Sequence, residues 1–250
     1  MKYLISVLLI SLIFFTIGLA YVLEKITDNE IFVEYKVFFQ EEETRGYLLA
    51  SNREHVYYHT FEEFSGSLEN LKSELELKRR TQNLLYVKKD FDVSRIESIE
   101  VLGSSDFVLL IEDLHQFQWE LTDEKKNILG FSCQKAKTKY RCSEYTAWFT
   151  DSFSTSAGPW KLSGLPGLIL ELNNDTVGKN FLAVQVGHND KTKSFPFSSY
   201  TPKIKRIYKG VGEFSKVRKK EFEKFSAFLR ATMDDLPEGA IISTVEPECF

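Results

Sequence analysis

The sequence predicts an α+β, mainly β fold: a large curved antiparallel sheet or open half-barrel with one internal and one C-terminal helix. Three observations lead there. About ten short apolar or alternating runs recur between polar links, the pattern of an antiparallel sheet. Two stretches, Gly66 to Arg80 and Glu213 to Asp235, switch to helical period. Aromatic residues make up 14% of the chain, with 21 Phe, which favours pleated surfaces and a voluminous core. Such a sheet covers its apolar face by curling on itself or by folding against the helices.

The N-terminus precedes the fold. Met1-Lys2 is a short positive start, and Tyr3 to Leu19 is apolar apart from Ser6, Ser11 and Thr16. Gly18-Leu19-Ala20 offers small residues to a signal peptidase. Cleavage after Ala20 is expected, leaving residues 21–250 as a single domain exported to the periplasm or cell envelope. The alternative is an uncleaved anchor, since the apolar run extends to Leu23. The polar run from Glu24 to Glu30 favours cleavage.

In order, Ile31 to Phe39 alternates, with Val33, Tyr35, Val37 and Phe39 on one face and Glu34 and Lys36 on the other. Glu41-Glu42-Glu43 reads as a solvated turn. Gly46 to Ala50 and His55 to Thr60 are strands around Ser51-Asn52-Arg53. Leu68, Leu71 and Leu75 give the internal helix its apolar stripe. Leu84 to Phe91, Ile96 to Leu102, Phe107 to Ile111 and Phe117 to Leu121 follow as strands. Asp123 to Asn127 is expected to be a polar turn. Ile128 to Lys137 and Cys142 to Thr150 are expected to form a hairpin. Phe181 to Val186 pairs with Leu168 to Leu172 across Asn173-Asn174-Asp175, and Phe195 to Gly212 is read as irregular. The last helix carries Phe214, Val217, Phe225, Phe228, Leu229 and Met233 toward the sheet. Its basic residues Lys216, Arg218, Lys219 and Lys220 fall mostly elsewhere, as solvated charge or as a contact for an acidic membrane surface.

The chain is organised around Ala147 to Leu172, a strand, two tight turns and a second strand. Proline at 159 and 166 fixes the backbone on either side of Trp160 to Ser163. Leu165-Pro166-Gly167-Leu168 suits a type II turn, with positive φ expected at Gly167. The corner either pins strand register or presents Trp160 at its tip to a ligand or partner.

The string Gly164-Leu165-Pro166-Gly167-Leu168-Ile169 resembles the defining motif of the GLPGLI family, exported proteins of Bacteroidetes-type bacteria. The flanks are similar too: Trp148-Phe149-Thr150, Gly158-Pro159-Trp160, and Gly130 to Ala136 with Cys133. The similarity covers Trp119 to Leu172. One departure stands out: that pattern features the first cysteine, and Cys142 is an addition. The resemblance implies export, often beside TonB-dependent outer-membrane receptors, and no established biochemical activity.

Candidate chemistry is sparse. A net charge of −4 and a pI near 5.7 argue against general nucleic-acid binding. In an oxidising compartment cysteines tend to pair. A hairpin centred between Lys137 and Thr138 would set Cys133 opposite Cys142, within about 4.5 Å between Cα atoms, close enough for a disulfide. The other reading makes Cys133 a small buried hydrophobe. His55 and His59 on a strand lie about 13 Å apart, too far to share a metal. No metal site, cofactor or catalytic group is expected: the sequence holds no His-Glu-x-x-His, Cys-x-x-Cys or Gly-x-Ser-x-Gly string, and no phosphate-binding glycine loop.

The sequence therefore reads as an exported envelope protein, more a binder than an enzyme. Trp148, Trp160, Gly164, Leu165, Pro166 and Gly167 are the expected contacts for an outer-membrane protein partner. One alternative is a carrier of a lipid-like ligand in the hollow of the sheet. Another is an uncharacterised hydrolase.

Overall fold

The computed structural model describes residues 30–39, 42–60, 84–102, 106–188 and 204–232. The expected signal peptide, the expected internal helix and Cys249 lie outside the described residues. The strands are β1 (Ile31–Phe39), β2 (Glu42–Ala50), β3 (Glu54–Thr60), β4 (Leu84–Asp90), β5 (Arg95–Leu102) and β6 (Asp106–Asp113). They continue as β7 (Glu120–Ile128), β8 (Phe131–Tyr140), β9 (Ser143–Thr150), β10 (Leu168–Asn174), β11 (Lys179–His188) and β12 (Arg206–Lys209). One helix, α1 (Val211–Thr232), closes the described chain. All the strands join one 12-stranded sheet in the order β12-β6-β5-β4-β3-β2-β1-β11-β10-β9-β8-β7. The predicted fold class is the observed one: mainly β, one large open curved sheet, with a C-terminal helix.

Alternation decides which face of β1 turns inward. Val33, Tyr35 and Val37 are buried, and Glu34 and Lys36 between them are half-buried. Val33, Tyr35 and Val37 join the main core with Leu48, Tyr57, Ile96, Ala147, Phe149, Leu168, Ile169, Leu170 and Leu172. Central β1 and β10 bury residues on both faces; on the second face of β1, Phe32 packs with Tyr47, Leu49, Tyr58 and Ile99. The Tyr35 hydroxyl crosses the hollow to donate to the Ile169 carbonyl at 2.6 Å. At the β12–β6 end of the sheet, α1 presses Phe214 against Tyr208 at 5.5 Å between rings, in a cluster with Leu102, Val108 and Leu110, on the face of β6 that also carries Glu112.

Several local expectations need correction. Glu42 and Glu43 belong to β2, paired with Phe39 and Phe38, rather than to a turn. The polar stretch Asp123 to Asn127 lies inside β7, and residues 114–119 hold no regular structure. β7 is an edge strand, so it pairs only with β8 and tolerates charge on both faces. The chain turns at Leu129-Gly130, both at positive φ. The next hairpin is centred on Arg141-Cys142, with Tyr140 opposite Ser143 and Gln134 opposite Phe149. That register puts Cys133 far along the ladder from Cys142. Cys133 is free and fully buried. Cys142 is disulfide-bonded to a residue other than Cys133. Asn173 and Asn174 still belong to β10, and the turn is Asp175 to Gly178. Within the stretch read as irregular, β12 pairs with β6, and it does so in parallel.

Candidate functional site

The segment from Asp151 to Gly167 folds into the hollow of the sheet. Ile169 N–H donates to the Ala157 carbonyl and Gly164 N–H to that of Ser156, both at 2.9 Å. The Trp119 indole donates to the Ser163 carbonyl at 2.9 Å. Gly167 does not adopt the positive φ of a type II turn; Gly164 does, at 91°. Gly167 N–H instead bonds the Leu165 carbonyl at 2.8 Å, a three-residue turn around Pro166. Glycine is needed at 167 for close approach: a Cβ there would run into the Thr150 carbonyl.

Two buried lysines hold this corner. Lys89 of β4 donates to the carbonyls of Gly158 and Leu162 at 3.2 and 2.9 Å. Burial pulls its ammonium down to a pKa of about 7. Lys161, on the corner, reaches two carboxylates: Glu112 of β6, and Glu100 of β5 at 3.0 Å. Glu112 also accepts from Arg141 at 2.6 Å and lies 3.3 Å from His115 Nε2. Burial alone would raise the Glu112 carboxyl, but His115, Lys161 and Arg141 outweigh it and hold its pKa at about 2. Burial would likewise raise Glu100, and Lys161 and Arg218 keep it below its ordinary value. Arg141 sits in the β8–β9 turn, far from β6 in the strand order, so this network ties opposite limbs of the curled sheet through the corner.

A cavity of about 210 Å³ lies beside the network. One wall is aromatic. Trp160 meets Tyr145 at 6.3 Å between rings and 32° between planes, and Tyr140 at 5.9 Å and 71°. Trp160 has φ of 52°, unusual for a bulky residue and a sign of a backbone held by its surroundings. Opposite stand Tyr57 and Phe181, 6.1 Å apart edge to face. The floor is one cross-strand row: Tyr145 pairs with Asn174, and Asn174 with Lys179. Asn174 Nδ2 donates to the Tyr145 hydroxyl at 2.9 Å. Glu100, Arg141, Lys179 and Arg218 bring charge to the lining. His59 also lines it, bonded to Thr44 at 2.8 Å; burial and then Lys179 push its pKa to about 3, so it stays neutral. The Tyr57 hydroxyl is buried without a hydrogen-bond partner.

The structure brings only one of the sequence-predicted contact residues to this cavity, Trp160. Trp148 lies elsewhere, on β9 under the Lys126 ammonium, 4.3 Å from the ring centre. Leu165 and Gly167 are buried in the frame of the corner, while Gly164 and Pro166 face solvent. Lys89, Lys161, Glu100, Arg141 and Lys179 went unnoticed in the sequence, because charged residues there read as solvated, and Glu112, three residues before His115, was set aside as a surface carboxylate. Two signals were there: Lys89 and Lys161 each interrupt or border an apolar run, and Glu112 and His115, which meet at 3.3 Å, are three residues apart. Among the described residues no group of three or more His, Cys, Asp or Glu side chains is placed to hold a metal ion.

Comparison with known proteins corrects the family reading. The family model that matches describes the N-terminal domain of N-glycanase peptide, PNGase F-II, and it matches residues 88–206. The GLPGLI family is not matched, so the six-residue string does not place the chain in that family. No curated protein matches the chain. Two solved structures of PNGF-II, in space groups C2 and P21, are 14% and 12% identical to it, each with a TM-score of 0.50. They cover 77% of this chain, which in turn spans only about a third of theirs, 33% and 34%. The chain thus shares the fold of one part of PNGF-II, and over residues 88–206 its sequence is similar to the N-terminal domain of that N-glycanase family.

Proposed function

We propose that the chain is an exported carbohydrate-binding domain that seats a single sugar ring in the cavity beside Trp160. The observation that carries this reading is the cavity itself. Flat aromatic faces from Trp160, Tyr145, Tyr57 and Phe181 surround a space ringed by a few fixed polar groups. A pyranose presents C–H groups on its faces, which stack on aromatic rings, and hydroxyls around its edge, which need hydrogen bonds. A volume of about 210 Å³ is below the ~300–1,000 Å³ of drug-sized sites, and suits one ring. The likeness to an N-glycanase domain supports a glycan as the ligand. On this reading Trp160 is the wall of the cavity and the Gly164–Gly167 turn is its frame.

Binding is favoured over hydrolysis. Glu100 is the one carboxylate on the described lining, and Lys161 already holds it as an anion. Glycoside cleavage commonly needs two carboxyl groups about 5–9.5 Å apart across the bond. The charged groups on the lining disfavour a lipid-like hydrocarbon, whose burial would desolvate them. Export is supported by the disulfide at Cys142, since such bonds persist in oxidising compartments.

Saturation-transfer NMR with a panel of free hexoses, N-acetylhexosamines and hexuronic acids tests the reading. Ring protons of at least one sugar are expected to receive saturation from the protein, and Trp160→Ala should abolish it while the fold survives. A panel without transfer overturns the proposal.

A further inference from the structure

Lys179 has a role that the network around Glu112 leaves open. The other cations near the cavity have acidic neighbours: Lys161 has Glu112 and Glu100, Arg141 has Glu112, and Arg218 acts on Glu100. On the described lining three cations, Arg141, Lys179 and Arg218, stand beside one carboxylate, Glu100. Lys179 has no hydrogen-bond or ion-pair partner among the described residues. Its ammonium lies 5.4 Å from the centre of the Phe181 ring, another residue of the lining.

Its place in the sheet keeps it there. Lys179 is the first residue of β11, paired with Asn174 across the Asp175–Gly178 turn. Asn174 is occupied in its turn: its Oδ1 accepts from the N–H groups of Thr176 and Val177 at 3.0 and 3.1 Å. The backbone under Lys179 is thus fixed, and Val177 at the same turn also lines the cavity.

We propose that the cavity selects an acidic sugar, a pyranose bearing a carboxylate, and that Lys179 is the residue that receives the carboxylate. This rests on the sugar-binding reading and adds the charge of the ligand to it. A carboxylate entering the cavity gives the Lys179 ammonium a direct hydrogen-bond acceptor, which none of the described residues provides, and charge-assisted hydrogen bonds of this kind are the stronger ones. Burial already lowers the Lys179 ammonium below its ordinary pKa, against a smaller opposing pull from Glu100. A bound carboxylate would reverse that penalty. The aromatic wall takes the ring in the same way whether or not the sugar is charged, so the acidic substituent sets preference and the wall sets basal affinity.

The test compares glucuronate with glucose by isothermal titration at pH 7, on the whole protein and on Lys179→Met. Glucuronate should bind the unaltered protein about 10- to 100-fold more tightly than glucose, the worth of a hydrogen bond to a charged group. Lys179→Met should remove that preference, the two sugars then binding alike, with thermal unfolding showing the variant folded. Added salt should weaken glucuronate binding alone. Equal binding of the two sugars, or a preference that survives Lys179→Met, overturns the assignment to Lys179 and spares the sugar-binding reading. Failure of both sugars to bind overturns the assignment together with that reading.

Discussion

Lys161 and Glu112 form an ion pair closed to solvent on both sides, with side-chain exposures of 0% and 1%. One partner sits on an irregular corner and the other on strand β6, so the pair fixes the corner against the sheet. Breaking the pair from one side leaves a buried charge with one counter-charge fewer, since Glu112 keeps Arg141 and Lys161 keeps Glu100, and an uncompensated buried charge would cost about 3–5 kcal/mol, which sets the upper end. Glu112→Gln and Lys161→Met should each lower unfolding free energy by up to that amount in urea titrations. The double variant should cost clearly less than the sum, because each change relieves the charge that the other strands. Additive losses would show that the two residues act separately.

Gly167 is expected to be intolerant of any side chain. A Cβ there meets the Thr150 carbonyl, a backbone atom that cannot swing away. Gly167→Ala should destabilise the protein by about 1–3 kcal/mol, the cost of overpacking. Gly178→Ala is a useful contrast: a Cβ there has open space but φ is 72°, so only backbone strain of about 1–2 kcal/mol applies. Comparing denaturation midpoints of the two variants separates contact from conformation.

Two buried neutral histidines predict acid sensitivity. His55 is pushed well below its ordinary pKa by burial and then by Lys89; His59 is pushed to about 3 by burial and then by Lys179. The unfolded chain takes up these protons near pH 6.5, and the folded chain does not. Stability should therefore fall as pH drops from about 6.5 toward 3, and rise with pH across the same window. Urea midpoints across that range should show the slope, and His59→Gln should flatten part of it.

Lys89 predicts the behaviour on the alkaline side. Its folded pKa of about 7 lies below the ~10.4 of an unfolded lysine. Between those values the unfolded chain holds one more proton, so this group makes stability rise with pH from about 7 to about 10.4. Lys89→Met should lose that rise in the same titration. It should also leave the carbonyls of Gly158 and Leu162 without their donor, at about 1–3 kcal/mol for each unsatisfied group.

The sheet was legible because its strands alternate. Val33, Tyr35 and Val37 could be placed inside, and the short apolar run Leu168 to Leu172 marked a buried strand, both from the residues alone. Alternation says nothing about an edge, however. β7 carries Glu120, Asp123, Glu124, Lys125 and Lys126 and still pairs with β8, because one side of an edge strand faces water. The hairpin at Arg141-Cys142 lacks an Asn-Gly or Asp-Gly signal, and misplacing it misplaced the cysteines. The site was hidden for a different reason. Lys89, Lys161 and Glu112 are worth burying only because residues distant in sequence meet them, and pattern reading assigns each to solvent. Trp160 was legible as important, but whether it turned outward or inward depended on those contacts.

The most direct test of the account follows Trp160 itself. A variant keeping Trp160 as sole tryptophan, with Trp119→Phe and Trp148→Phe, should change emission saturably as glucuronate is added, and should lose the response when Tyr145→Ala removes its stacking partner. A saturable shift that needs Tyr145 is the predicted result and places the ligand in the cavity. Glucuronate binding seen by titration calorimetry with no change in Trp160 emission would contradict the account, since the sugar would then sit elsewhere on the protein.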